Sequence, residues 1–181
     1  MEKSNPKNLL SAVTRVASAL QEGLQPDAVW QVMERALSEV YGLRLFTVLA
    51  YDEQSSRLGR LHSNRPDINP VGRFKRVTQS VWVDHVLRRG EVFTGSTRED
   101  IRAVFSEYEV LWSIGCESVL NIPVRKSGVT IGTMNLLAGA GQYDQAEVRL
   151  ASVFAQLAVV PLEACLDRLR DRGEPDLMEQ V

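Results

Sequence analysis

Cysteine and histidine are scarce in this chain: 181 residues hold two of each. Two cysteines, Cys116 and Cys165, exclude a disulfide framework, and neither has the Cys or His neighbours that would make a zinc site. His62 and His85 stand far apart, so no metal role is expected. No run approaches the ~18 consecutive apolar residues of a membrane span. The opening Met-Glu-Lys-Ser-Asn-Pro lacks a signal-peptide core. The expectation is a cytoplasmic chain without membrane contact. A phosphate loop is missing too: Gly139-Ala140-Gly141 precedes a helix but has neither the Lys nor the spacing. There is no Gly-x-Ser-x-Gly and no Ser/His/Asp grouping. No basic helix or aromatic–basic interleaving points to nucleic acid. Neither catalysis nor a resident cofactor is expected.

What is present suits one domain around one core, with an apolar share of 44%. Asn5-Pro6 predicts a helix start, with Asn as cap and Pro at the first helical position. Leu9, Val13, Val16 and Leu20 follow as an a/d-like stripe that Gly23 ends. Gln25-Pro26-Asp27 opens a second helix reaching Gly42. Leu43–Asp52 reads as a strand, Glu53–Ser56 as a turn, Arg57–Ser63 as a weaker strand, and residues 64–76 as a loop long enough to be functional. A helix from Thr78 or Gln79 runs through Val81, Trp82 and Leu87 to Gly90. A short strand follows at Glu91–Thr94. A helix capped by Ser96 or Thr97 then runs toward Trp112. Glu99-Asp100 and the pair Glu107 and Glu109 read as helix-surface charge.

Charge is uneven. Residues 57–102 hold ten Lys or Arg against five acids in a chain of net charge −2. A basic middle attracts an anionic ligand, or it is a solvated face.

The stretch Gly115–Asn135 is the most informative. Apolar and β-branched runs flank Arg125-Lys126-Ser127-Gly128, which predicts a hairpin. Pro123 lacks an N–H, so its strand must be at an edge, bulged, or open to one side there. Gly132 marks a close approach by another backbone or a ligand. Tyr143-Asp144-Gln145-Ala146-Glu147 opens a long helix, from Asp144 to about Arg172, which Pro161 should kink. Its second half carries the stripe Leu162, Cys165, Leu166 and Leu169.

The order Gly115, Ser118, Pro123, turn Gly128, Ile131-Gly132, then Tyr143 and Glu147 resembles the GAF domain family, over roughly residues 24–168. The resemblance implies an α+β fold in α/β/α layers. A central antiparallel sheet of five or six strands would carry the N- and C-terminal helices on one face. Middle helices and loops would cover the other face and enclose a ligand. The chain then divides into an N-terminal amphipathic helix (1–23), a GAF-like domain (24–170) and a polar C-terminal tail (171–181).

The pocket would lie under residues 64–114. Polar residues inside apolar strands are candidates for its floor, because buried polar groups need partners: Thr47, Asn121, Thr133 and Asn135. A three-residue hairpin loop at 126–128 would set Arg125 opposite Val129 and Asn121 opposite Thr133. A loop of two or four residues breaks that pairing, since one residue of slip turns a strand over. Phe74, Trp82, His85, Phe93, Phe105 and Trp112 are candidate walls, or ordinary core.

Three branches of the family sharpen the expectation. Cyclic-nucleotide binders carry Asn-Lys after the last strand, where this chain has Leu136-Leu137-Ala138-Gly139. Free methionine sulfoxide reductases place a reactive cysteine where this chain has Trp112, and Cys116 comes four residues later. Tetrapyrrole-binding domains attach the chromophore through a Cys, usually beside a His, and Cys116-Glu117 lacks that neighbour. The expected function is a sensory or regulatory domain that binds a small molecule and acts through a partner, or through a homodimer formed by the two terminal helix stripes. The alternatives are a cysteine-dependent redox enzyme on the same fold and a dimerisation module without ligand.

Overall fold

Side chains alternate between the two sides of one sheet, and that alternation organises everything else. The structure is a computed structural model that describes residues 6–171 and 179–180. The expected Asn5 cap and most of the polar tail lie outside the described residues.

Helices α1 (Pro6–Gln21) and α2 (Pro26–Tyr41) lead into β1 (Leu45–Asp52), β2 (Arg57–Ser63) and β3 (Phe74–Arg76). A π-helix (Val83–Arg88), β4 (Phe93–Gly95), α3 (Arg98–Val104) and α4 (Tyr108–Ser113) follow. Then come β5 (Ser118–Lys126), β6 (Val129–Ala138), α5 (Val148–Leu157), α6 (Val159–Asp171) and the two-residue β7 (Glu179–Gln180). The sheet order is β4-β5-β6-β1-β2-β3-β7. The first six strands pair antiparallel, and β7 adds to β3 in parallel.

Four elements differ from expectation, one of them the start of the last helix: α5 begins at Val148 rather than Asp144, and Glu147 at its N-cap makes no side-chain cap bond. The expected loop 64–76 ends in β3. The single helix expected after Ser96 is two, because Phe105 adopts extended backbone (φ −120°, ψ 122°) between α3 and α4. The long last helix is also two, bent by 48° around Ala158. Pro161 sits in the first turn of α6, where its missing N–H is one of the bonds a helix start lacks anyway. No single helix among the described residues is long and apolar enough to cross a membrane.

One face of the sheet presents Phe46, Val48, Leu120, Ile122, Met134 and Leu136, all 0% exposed, to Trp30, Met33, Leu37 and Phe154 of the helical layer. Each large side chain buried this way contributes about 1.5–3 kcal/mol. Both terminal stripes are engaged inside this layer where their side chains are described, which leaves out Leu169. Val16 is buried and Leu9, Val13 and Leu20 half-buried, with α1 lying on α2 and α5. Leu162, Cys165 and Leu166 are buried as well. Among the described residues, the large apolar side chains that α1, α5 and α6 leave outward are Leu10 (69% exposed), Val148 (39%), Val153 (44%) and Val160 (67%).

The hairpin corrects the expected register. Lys126 pairs with Val129 across a two-residue turn, Ser127-Gly128, in which both residues have positive φ. Such a loop alone would turn β6 over. Instead Ile131 is a bulge, Arg125 pairing with Thr130 and Val124 with Gly132, and the extra residue restores the phase. Asn121 therefore opposes Asn135, and Thr133 opposes Pro123. All three polar side chains still share one face. Pro123 fits because β4 stops at Phe93, opposite Asn121, leaving β5 with one neighbour beyond it. Gly132 admits protein rather than a ligand: a Cβ there would lie 2.3 Å from the Leu49 carbonyl oxygen and 2.5 Å from Leu162 Cδ1.

Candidate functional site

The other face of the sheet is built from the alternate residues of the same strands and is polar at its centre. On this face Trp82 Nε1–H donates to Asn121 Oδ1 at 2.9 Å. Asn121 Nδ2 donates to Asn135 Oδ1 at 2.8 Å, and Asn135 Nδ2 to Thr47 Oγ1 at 3.1 Å. All four residues are buried, so the relay crosses β5, β6 and β1 without water. It is anchored on the turn that starts the π-helix. Such helices are rare and often mark functional positions.

A second bulge brings a cation to this face. Val48 pairs with His62 but Leu49 with Arg60, so Leu61 is the extra residue. An unbulged β2 would set Arg60 opposite Ala50, on the helical side. Arg60 is 8% exposed, and its Nη1 donates to the Pro70 carbonyl at 3.1 Å. Lys75, on β3, is 8% exposed and its Nζ lies 2.7 Å from Glu107 Oε1, between α3 and α4. Burial pushes the Glu107 carboxyl up, but the Lys75 charge and hydrogen bond outweigh it and hold the group below the usual carboxylate range.

These groups surround a cavity of about 50 Å³. Its sheet side is Leu45, Thr47, Leu49, Leu58, Arg60, Lys75, Asn135 and Leu137. Its cover is Asn69, Trp82, Phe105, Glu107 and Leu111. A larger furrow, of about 650 Å³, lies outside on α1 and α2. It is open and lined by partly exposed residues such as Leu10, Thr14 and Leu24, with no buried polar group, so we give it no binding role.

Of the sequence candidates, the structure brings Thr47, Trp82, Phe105 and Asn135 to the cavity. Asn121 stands behind it in the relay. Thr133 is on the same face but outside the lining, its Oγ1 buried without a hydrogen-bond partner among the described residues. Phe74 turns away, since Lys75 beside it takes the cavity side. His85 bonds to the Val92 carbonyl at 2.9 Å and meets Phe93 edge-on at 5.9 Å, so both belong to packing around the π-helix. Trp112 stacks on Tyr108 at 4.7 Å in a separate cluster with Cys116.

Arg60, Asn69, Lys75 and Glu107 are cavity residues that the sequence reading missed. In the sequence Glu107 reads as surface charge. A basic residue following an aromatic in the supposed loop, Phe74-Lys75, was the one available signal of a strand there.

Cys116 is 0% exposed, among Leu45, Ile101, Leu111 and Val119. Burial pushes its thiol up to about 11, against the pull of Arg44 and Arg65. Cys165 is on α6, across the sheet.

A family model described as GAF domain matches residues 25–163. The chain belongs to the GAF domain family. No curated protein matches it. Among solved structures, the GAF domain of a phosphoenolpyruvate-protein phosphotransferase from Coxiella burnetii is similar at 12% identity and TM-score 0.67, over 92% of this chain and 99% of that one. The phycoerythrobilin-bound GAF domain of a cyanobacterial phytochrome has 12% identity, TM-score 0.63, and coverage of 91% and 100%. Free methionine-R-sulfoxide reductase from Neisseria meningitidis has 13% identity, TM-score 0.60, and coverage of 91% and 95%. At these identities the likeness is one of fold. GAF domains are typically sensory or regulatory, ligand-binding domains.

Proposed function

We propose that this GAF domain is a non-enzymatic sensor that binds a small polar molecule with an anionic group between the sheet and its cover. One observation carries the reading. Among the described residues, only this face of the sheet gathers buried Asn, Thr, Arg and Lys, with the half-buried Glu107 of the cover, around a void. Arg60 and Lys75 would meet the anionic group, and the Asn135 and Thr47 end of the relay the remainder.

The void of about 50 Å³ is far smaller than the ~300–1,000 Å³ of ligand pockets. Admission of a ligand requires the cover to shift, and that cover is short pieces: a six-residue π-helix, α3 of seven and α4 of six. The test is a thermal-shift screen of small carboxylates, phosphates, amino acids and nucleotides. A binder at a hundred times its Kd should add about 2.7 kcal/mol. Arg60→Met and Asn135→Leu should abolish the shift. No stabiliser in the screen, or one that both variants still bind, rejects the reading.

The reductase among the similar structures raises cysteine chemistry as a second reading. That chemistry needs an accessible thiol of lowered pKa, and Cys116 is enclosed and shifted the other way. Fast labelling of Cys116 by a thiol reagent in the native protein would reverse this judgement. Output is proposed to pass through the helical layer, to a second copy or another protein, where Leu10, Val153 and Val160 face outward. Light scattering at high concentration tests the dimer, and a strict monomer removes it.

A further inference from the structure

Trp82 occupies the covered face much as a bound molecule would. Its indole is 3% exposed, walls the cavity, and donates its one N–H to Asn121 Oδ1 at 2.9 Å. A planar ring with an N–H is thus already seated at the head of the relay. One polar group nearby is left over. Thr133 is 0% exposed and stands in register between Leu49 and Pro123, and Leu49 packs in the same cluster as Trp82. Its Oγ1 has no hydrogen-bond partner among the described residues. A buried hydroxyl left so costs free energy that a ligand group would relieve.

The helix that carries Trp82 supplies a way to withdraw it. Asp84 N–H donates to the Ser80 carbonyl, four residues back, but Arg89 N–H donates to the Asp84 carbonyl, five back, both at 3.0 Å. A turn closed over five residues takes in one more residue than the α-helical turn it replaces. With the chain held at Gly90, a return of Val83–Arg88 to α spacing turns the residues before it by about one position, ~100°. Val83, now 0% exposed, then takes the place of Trp82, and Trp82 that of Val81, which is 79% exposed. A valine replaces an indole against the sheet, and Asn121 Oδ1 loses its donor.

We propose that the Trp82 indole is a built-in occupant of a ring subsite in this cavity, and that the ligand is a one- or two-ring N–H heteroaromatic carboxylate that displaces it as the π-helix returns to α spacing. This ligand class rests on the anion-binding reading above and narrows it. The ring N–H goes to Asn121, a polar substituent on the ring to Thr133, and the carboxylate toward Arg60.

Indole-3-acetate is the probe, and its N-methyl analogue, which has no ring N–H, is the control. Both are titrated into the isotope-labelled full chain. Saturable binding of the first is expected, with the Trp82 indole N–H losing its protection against exchange with water and the analogue binding about tenfold or more weakly. Trp82→Ala should bind indole-3-acetate about tenfold or more tighter than wild type, because no occupant has to leave. Deletion of Asp84 removes the extra residue and lets the segment become α-helical with Trp82 still in place, so affinity should fall by about tenfold or more. Asp84→Ala loses the same contact with Arg88 but keeps the residue, and should bind as wild type. Absence of saturable binding to wild type overturns the proposal. So do equal affinity for the two compounds, a Trp82 N–H that stays protected in the complex, and unchanged affinity after the deletion. Should either variant unfold, the exchange measurement and the N-methyl control on wild type decide alone. The anion-binding reading fails separately, through a stabiliser indifferent to Arg60→Met and Asn135→Leu.

Discussion

The two faces of this sheet use the same strands for opposite ends. On the helical side β1, β5 and β6 present Phe46, Val48, Leu120, Ile122, Met134 and Leu136 to a mainly apolar layer of four helices. On the covered side the neighbours of those residues are Thr47, Asn121, Thr133 and Asn135, and the layer above is short helical pieces around a void. The first face supplies stability by burial. The second spends part of it on buried polar groups that must be satisfied one by one. Both bulges serve the second face: Leu61 brings Arg60 to it and Ile131 keeps Asn135 opposite Asn121. The lesson is that stability and binding are separated by one residue of alternation.

The comparison is broken most easily at its strong side. Phe46→Ala should cost about 3–5 kcal/mol in urea unfolding, and Leu137→Ala, beside the void, about 2–3 kcal/mol. Equal losses would mean that the two faces are equally packed. Next comes the relay. Asn135→Leu removes a partner from both Asn121 and Thr47 and should cost about 1–3 kcal/mol. A neutral result would show that the amide chain is not a satisfied network. Lys75→Met takes the cation from the Glu107 carboxylate, which keeps the Ser106 hydroxyl, and should cost about 1–2 kcal/mol, reduced by the partial exposure of Glu107. Lys75→Met with Glu107→Leu should regain most of that loss, and a double variant as unstable as the single one would show that the ion pair is not the cause.

The smallest effect is at the cover's own helix start. Asp100 accepts from Ser96 N–H at 2.8 Å and Thr97 N–H at 3.0 Å, and Thr97 Oγ1 accepts from Asp100 N–H at 3.2 Å. The Ser96 N–H first, then the Thr97 bonds, hold the Asp100 carboxyl below the usual range. Its stabilisation is thus complete above the unfolded-state value of ~3.9 and is lost as pH falls through the lower folded value. Asp100→Ala should cost about 1 kcal/mol at neutral pH and progressively less toward pH 2, read from denaturation midpoints.

Much of the fold was legible because its signals are local. Pro26 and Gly42 bracket α2, Arg57–Ser63 matched β2 residue for residue, and Thr97 capped α3 as its position suggested. The break at Phe105 was not, since the segment keeps helical periodicity and tertiary packing decides where it parts, whereas the 48° bend after Leu157 is the kink that Pro161 predicts. The relay residues stood out as polar positions in apolar strands. The charged half of the site did not: Arg60 reaches it through a bulge, Lys75 through a three-residue strand inside a polar stretch, and Glu107 through a break between helices. None of those three devices has a one-residue signature in sequence.

The central claim, that the covered face is the binding face, is tested most directly by indole N–H signals in NMR spectra. The chain has three tryptophans: Trp30 in the helical core, Trp82 on the cavity wall and Trp112 elsewhere in the cover. Each is assigned by its Trp→Phe variant and followed while small carboxylates and phosphates are titrated in. The account expects a saturable shift of the Trp82 signal with Trp30 unmoved. Binding that moves Trp30 and leaves Trp82 in place, or no response of Trp82 to any of these compounds, would contradict it.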